Sequence, residues 1–218
     1  MVSVKCVILG NSTVGKTSIL NSYFYDKSED VVESTIGAVF VTKLFKNYFD
    51  EDVRLHMWDT AGQERYRSLV PMYLRGANIA ILAYDISNRD SFDDLDKWLL
   101  SITQYSDIEI IIVANKADLR DTEYKGYLIP DIKGENYANN FNVKFFSVSA
   151  KTKQNISELF EYILNRGTEL YNAKIKNKTS NEDIVNLDKD LEVNNDESYL
   201  SKAYTQSSKY IGENCCYN

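Results

Sequence analysis

Val2–Phe24 reads VSVKCVIL-GNSTVGKT-SILNSYF, and its middle segment decides the fold. The first eight residues have the apolar, β-branched character of a strand, and Lys16 to Tyr25 reads as a helix. Between them, Gly10–Thr17 fits G-x-x-x-x-G-K-[ST]. In such a loop, glycines let backbone N–H groups turn inward around phosphate oxygens, at the positive end of the following helix. Asn11, Ser12, Thr13, Val14, Gly15, Lys16, Thr17 and Ser18 form the candidate cradle. Lys16 would bridge the outer phosphates, and the Thr17 hydroxyl would ligate Mg²⁺.

Outward from this loop, strand-like runs alternate with helix-like ones. AVFVTKLFK and VRLHMWD alternate in polarity and predict a hairpin with one solvated face. IAILAYD and IEIIIVA are nearly continuous apolar runs, as strands covered on both faces are, and VKFFSVS is a sixth strand. Phe92, Leu95, Leu99 and Ile102 form one helical stripe; Ile156, Leu159, Phe160, Ile163 and Leu164 form another. The expected fold class is α/β, a six-stranded mostly parallel sheet with helices on both faces. Its ligands would bind at the carboxyl ends of the strands.

The base is read from two short strings. In NKAD, Asn115–Asp118, a carboxylate at a strand-end loop can accept hydrogen bonds from guanine N1–H and N2–H₂. Adenine offers neither donor, and a buried acceptor left unpaired rejects it strongly. Asp118 is the guanine reader, Asn115 tethers its loop, and the stem of Lys116 can lie over the base. In SAK, Ser149–Lys151, the Ala150 N–H can donate to guanine O6. The ligand expected of the cradle is GTP or GDP with Mg²⁺.

WDTAGQE, Trp58–Glu64, supplies the chemistry. Asp59 ends a strand and can hold Mg²⁺ through water. The Gly62 N–H can reach a γ-phosphate, and Gln63 can orient an attacking water. Thr35, in ESTIG, would complete the metal shell with its hydroxyl. Contacts made by Thr35 and Gly62 only while the third phosphate exists would give an order–disorder switch. No arginine occurs from Gly10 to Val53, so no arginine finger in cis is evident and unaided hydrolysis is expected to be slow.

Composition narrows the remaining classes. The 218 residues are 44% hydrophobic and 26% charged, ordinary values for a globular chain. A net charge of −7 disfavours nucleic acid as a partner. The opening MVSVKCVILG has neither the pattern of a signal peptide nor the second-position glycine of myristoylation. Cys6, alternating with Val4 and Ile8, reads as a buried core thiol, and His56 as a solvent-facing strand residue. Residues 1–171 are expected to form the domain. From 172 onward Asn, Ser, Lys and Asp dominate without period, so 172–218 reads as a flexible, disordered tail.

Read together, these motifs resemble the Rab branch of the Ras-like small GTPases across roughly residues 3–171. STIGAVFVTK, WDTAGQERYRSLVPMYLRGA and the terminal Cys-Cys-x-Asn resemble the early-endosomal Rabs in particular. The resemblance implies a P-loop GTPase domain acting as a monomeric switch in vesicle traffic on the cytosolic face of endomembranes. Its partners would be an exchange factor, a GTPase-activating protein, a GDP-dissociation inhibitor and effectors. Phe40, Trp58 and Tyr73 match the hydrophobic triad that effectors read. Gln63, Lys16 and Gly62 take the catalytic positions. One departure stands out: Ser28 occupies the place where the family usually stacks an aromatic on guanine. Such a contact is worth about 1–3 kcal/mol at other nucleobase sites. Tyr25 or Phe24 could replace it; otherwise nucleotide release should be faster than is usual for the family.

The chain ends ENCCYN. Disulfide geometry wants Cα atoms about 5.5 Å apart, and neighbours sit about 3.8 Å apart, so Cys215 and Cys216 are poorly placed to bridge each other. Residues 172–214 carry six Lys against eight Asp and Glu, which gives no attraction to anionic lipid. Stable anchoring takes two signals, and two cysteines offer two attachment points. In Rabs such pairs carry two geranylgeranyl groups, which would anchor this chain to the membrane.

Overall fold

The computed structural model describes residues 1–25, 38–62, 69–103, 105, 107–123 and 126–185, with side chains through 176. Six strands are assigned: β1 (Val2–Leu9), β2 (Ala38–Lys46), β3 (Asp52–Thr60), β4 (Ile79–Asp85), β5 (Glu109–Asn115) and β6 (Lys144–Ser147). The helices are α1 (Lys16–Phe24), α2 (Val70–Leu74), α3 (Arg89–Asp93), α4 (Leu95–Ile102), α5 (Asp131–Asn140) and α6 (Ile156–Val185).

Strand order is β2-β3-β1-β4-β5-β6. Among the described strands only the β2–β3 pair is antiparallel; β1 runs parallel to both β3 and β4. The chain therefore departs from β1 to one side of the sheet and later returns to the other, which makes the carboxyl end of β1 the topological switch point. The glycine loop leaves the sheet there.

Period-two side-chain alternation sorts β1 between two cores. Val4, Cys6 and Ile8 pack with Ile19 and Phe24 of α1 and Leu159, Phe160 and Ile163 of α6. Val7 and Leu9 face the other way, onto Leu74, Leu95, Trp98 and Ile102. Cys6 is a buried thiol, as expected, and its burial pushes its pKa well above the ordinary thiol range. The hairpin β2–β3 has the expected solvated face, and β2 is the sheet's edge.

Three differences from the sequence reading have physical causes. The stripe Phe92–Ile102 is carried by two short helices, because the chain turns at Asp94, whose N–H still bonds the Asp90 carbonyl. Helix α5 was not anticipated, since it buries only Gly134 and Ala138 and shows no large apolar stripe. Helix α6 runs through Val185, past the expected boundary at 171, because Ala173, Lys174 and Lys176 favour helix without needing a buried face. The chain divides into two units, Met1–Lys176 and Asn177–Asn218; in the second, only the helical backbone of 177–185 is described.

Gly134 shows how closely α5 sits on the sheet. A Cβ there would lie 2.5 Å from both the Tyr84 hydroxyl oxygen and a ring carbon of Phe145. Gly134→Ala gains about 1 kcal/mol of helix propensity but overpacks a site where insertion typically costs 1–3 kcal/mol. A lower urea midpoint at unchanged m-value is expected; a higher midpoint would contradict this packing.

Candidate functional site

The loop between β1 and α1 is held in shape by backbone that few residues tolerate. Gly10 has φ 141° and Gly15 φ 93°. A Cβ on Gly10 would sit 2.2 Å from the Ala83 carbonyl oxygen, and one on Gly15 would sit 2.3 Å from the Asn115 amide nitrogen. Thr13 adopts φ 64°, a left-handed conformation that strains a β-branched residue. Val14 is buried in the core beneath the loop, while Ser12 and Ser18 are half-buried. No side chain caps the N-terminus of α1.

Lys16 is only 6% exposed. Its ammonium donates to the carbonyls of Gly10 at 3.0 Å and Asn11 at 2.8 Å. Burial lowers its pKa to about 8, and the negative charge of Asp59 acts in the opposite direction. A cation surrounded by neutral carbonyls at a helix N-terminus is a site prepared for an anion. Gly62 completes the wall: a Cβ there would come 2.3 Å from Lys16 Nζ and 2.4 Å from the Asn11 carbonyl oxygen. Only glycine fits so close to the cradle, in keeping with a backbone N–H placed for a phosphate.

Thr17 Oγ1 donates to Asp59 Oδ2 at 2.6 Å. A hydroxyl and a carboxylate held together give hard oxygen donors of the kind Mg²⁺ takes, so these two residues fit the expected metal. The third expected ligand, Thr35, lies outside the described residues, as do Gln63, Ser28, Cys215 and Cys216.

At the other end of the site, Asn115 is buried and ties two loops together. Its Nδ2 donates to the Val14 carbonyl at 2.8 Å, and its Oδ1 accepts the Ala150 N–H at 3.1 Å. The Ala150 N–H thus has an acceptor within the chain, which guanine O6 would share or displace. Ser149 Oγ donates to Asp118 Oδ1 at 2.5 Å. A carboxylate has about four acceptor sites, so Asp118 keeps capacity for two base donors. Lys151 is exposed.

Lys116 has φ 67°, and its ammonium pairs with Asp85 Oδ2 at 2.6 Å. Asp85 was not recognised in the sequence. The available signal was a lone carboxylate ending the apolar run of β4. Its Oδ1 accepts from Ser87 N and Oγ, so the partner of the base-side lysine is itself fixed. The second residue set that sequence reasoning missed is Asp94 and Trp98, which hold the side chain of Asn11.

Of the two candidates to replace the absent stacking aromatic, Phe24 is excluded. It is buried among Tyr23, Phe45 and Phe160. Tyr25 is exposed and remains.

Away from the cradle, the rings of Phe40, Trp58 and Tyr73 form a continuous row, with centroids 5.0 Å and 5.7 Å apart. Phe40 is exposed, Trp58 half-buried and Tyr73 buried. Lys5 Nζ lies 5.0 Å from the centre of the Trp58 ring. His56 extends the row: it is half-buried, stacks on Phe40 and shares a 2.8 Å hydrogen bond with Thr42. It is more engaged than a solvent-facing residue. Burial, then the nearby Arg54 and Lys5 charges, lower its pKa.

The buried ammonium predicts a proton linkage. Phosphate raises the pKa of Lys16 from about 8, so between that pH and the bound value the free protein is deprotonated and the complex protonated. Calorimetry of GDP binding at pH 8.5 in buffers of different ionisation enthalpy should show proton uptake that shrinks toward pH 7 and vanishes in Lys16→Met. Uptake unchanged by that substitution would contradict the assignment.

A family model described as the Ras family matches residues 5–169. The match spans the phosphate loop, the Asp59–Gly62 segment and both base-side loops. The chain belongs to the Ras family, and is a guanine-nucleotide-binding small GTPase of the kind that switches between GTP- and GDP-bound states.

Proposed function

We propose that this GTPase is a Rab-type switch of vesicular membrane traffic, anchored through prenylated Cys215 and Cys216 on the cytosolic face of endosomal membranes. The observation that carries the reading is the row Phe40–Trp58–Tyr73. Leu44, at the same strand parity as Phe40, is also exposed, as are Leu69 and Met72 close to Tyr73 in the chain, and exposed apolar surface of this kind marks a protein-binding face. Those rings lie on strands and a helix flanking the two segments that contact the third phosphate in the sequence reading. A partner seated on them would sense which nucleotide is bound.

In catalysis, Lys16 holds the outer phosphates and gathers the negative charge that grows on the transferred group. The Gly62 N–H donates to the γ-phosphate, and Gln63 orients the attacking water. Thr17, Asp59 and Thr35 would hold Mg²⁺, which when bound neutralises charge on the phosphates. The arginine-free stretch from Gly10 to Val53 leaves room for a GTPase-activating protein to contribute the missing cation. An exchange factor resets the switch, effectors read it, and a GDP-dissociation inhibitor shields the lipids between membranes.

Two measurements test this reading. Single-turnover GTP hydrolysis should run on the order of 10⁻³ per second or slower, and Gln63→Leu should slow it at least tenfold while GTP stays bound. Rates already in the stimulated range would contradict the need for a partner. Incubation with geranylgeranyl diphosphate and the Rab-specific transferase should add two prenyl groups, one in Cys215→Ser. No addition there, with modification by the ordinary C-a-a-X enzyme instead, would remove the Rab assignment.

A further inference from the structure

Asn11 sits in the phosphate loop, yet its side chain is held from outside it. Its Nδ2 donates to Asp94 Oδ2 at 2.8 Å, and its Oδ1 accepts the indole N–H of Trp98 at 2.8 Å. The amide orientation is unambiguous, because a carboxylate only accepts and an indole N–H only donates. Trp98 is 1% exposed, so its N–H depends on protein partners. Asp94 is the N-cap of α4 and Trp98 lies at the end of its first turn. That turn is closed by hydrogen bonds, because the Asp94 carbonyl accepts the N–H groups of both Lys97 and Trp98. The Asp94 carboxylate also pairs with Lys97 through Oδ1.

The main chain of the same residue serves the cradle. The Asn11 carbonyl accepts the Lys16 ammonium, and it abuts Gly62 so closely that a methyl group there would collide with it. One residue thus joins a fixed helix, through its side chain, to the phosphate lysine and the γ-phosphate glycine, through its backbone.

We propose that Asn11, held by Asp94 and Trp98, is a positioning residue that fixes the carbonyl against which Lys16 and Gly62 are set, and so slows nucleotide release. Without this latch, the peptide between Asn11 and Ser12, which carries that carbonyl, is free to rotate. Lys16 then loses a fixed acceptor, and the cradle loosens around the β-phosphate.

The proposal rests on guanine-nucleotide binding, and GDP retention by the unaltered protein checks that separately. The test is the release rate of a fluorescent GDP analogue from the full chain, with the thermal midpoint recorded beside it. Asp94→Ala is expected to release about tenfold faster, the equivalent of losing one or two hydrogen bonds. Asp94→Asn keeps an oxygen acceptor for Asn11 while losing the charge seen by Lys97, and it should release at close to the unaltered rate. Asn11→Ala should be as fast as Asp94→Ala, and the double variant no faster than either, because both break one connection. Trp98→Phe keeps the ring in the core and should be faster by a few fold. Release from Asp94→Ala within twofold of the unaltered protein would overturn the proposal. Equal acceleration in Asp94→Asn, or additive effects of Asn11→Ala and Asp94→Ala, would do the same. Should Asp94→Ala fail to fold, Asn11→Ala and Trp98→Phe decide by the same criterion.

Discussion

The molecule is organised around an ammonium group that the protein itself buries. Lys16 is nearly sealed and, among the described residues, meets the carbonyls of Gly10 and Asn11 as acceptors. Desolvating a cation against neutral partners is unfavourable, and its depressed pKa expresses that cost. A chain of phosphates removes the penalty, because it brings negative charge to the lysine and to the uncapped N-terminus of α1 together. Phosphate binding is then favoured because it offsets the cost of burying the lysine.

Several contacts in the first unit hold that cation in place. The parallel order of β3, β1 and β4 puts the loop at the switch point of the sheet. Close approach of Gly10 to Ala83 and of Gly15 to Asn115 fixes the loop's path from two sides. Asn115 then ties this loop, at the Val14 carbonyl, to the Ala150 N–H, so one side chain connects the phosphate end and the base end. The Thr17–Asp59 bond ties the first turn of α1 to the carboxyl end of β3, where the segment leading to Gly62 begins.

Much of this was legible in the residues because the informative contacts are local. The runs at β1, β4 and β5 are apolar without interruption, and a glycine loop between a strand and a helix has few other uses. Contacts between distant segments were not legible. Nothing in the string GNSTVGKT tells Asn11 that Trp98 will lie beside it, and nothing in NKAD announces that Lys116 will pair with Asp85. Helix α5 was hidden for another reason: its buried positions are a glycine and an alanine, which make contact by being small. The stripe around Asp94 kept its helical period through the turn between α3 and α4, so period alone could not show two helices.

Phosphate charge and the guanine edge are recognised at opposite ends of one site, linked through Asn115. Equilibrium titration of the nucleotide-free protein with GDP, ADP and guanosine tests both ends at once. GDP should bind tighter than ADP by a factor on the order of 10⁴, the discrimination of a buried polar reader. It should also bind far tighter than guanosine, which cannot satisfy Lys16. ADP bound as well as GDP would contradict the role of Asp118. Guanosine bound as well as GDP would contradict the buried lysine as the centre of the fold's design.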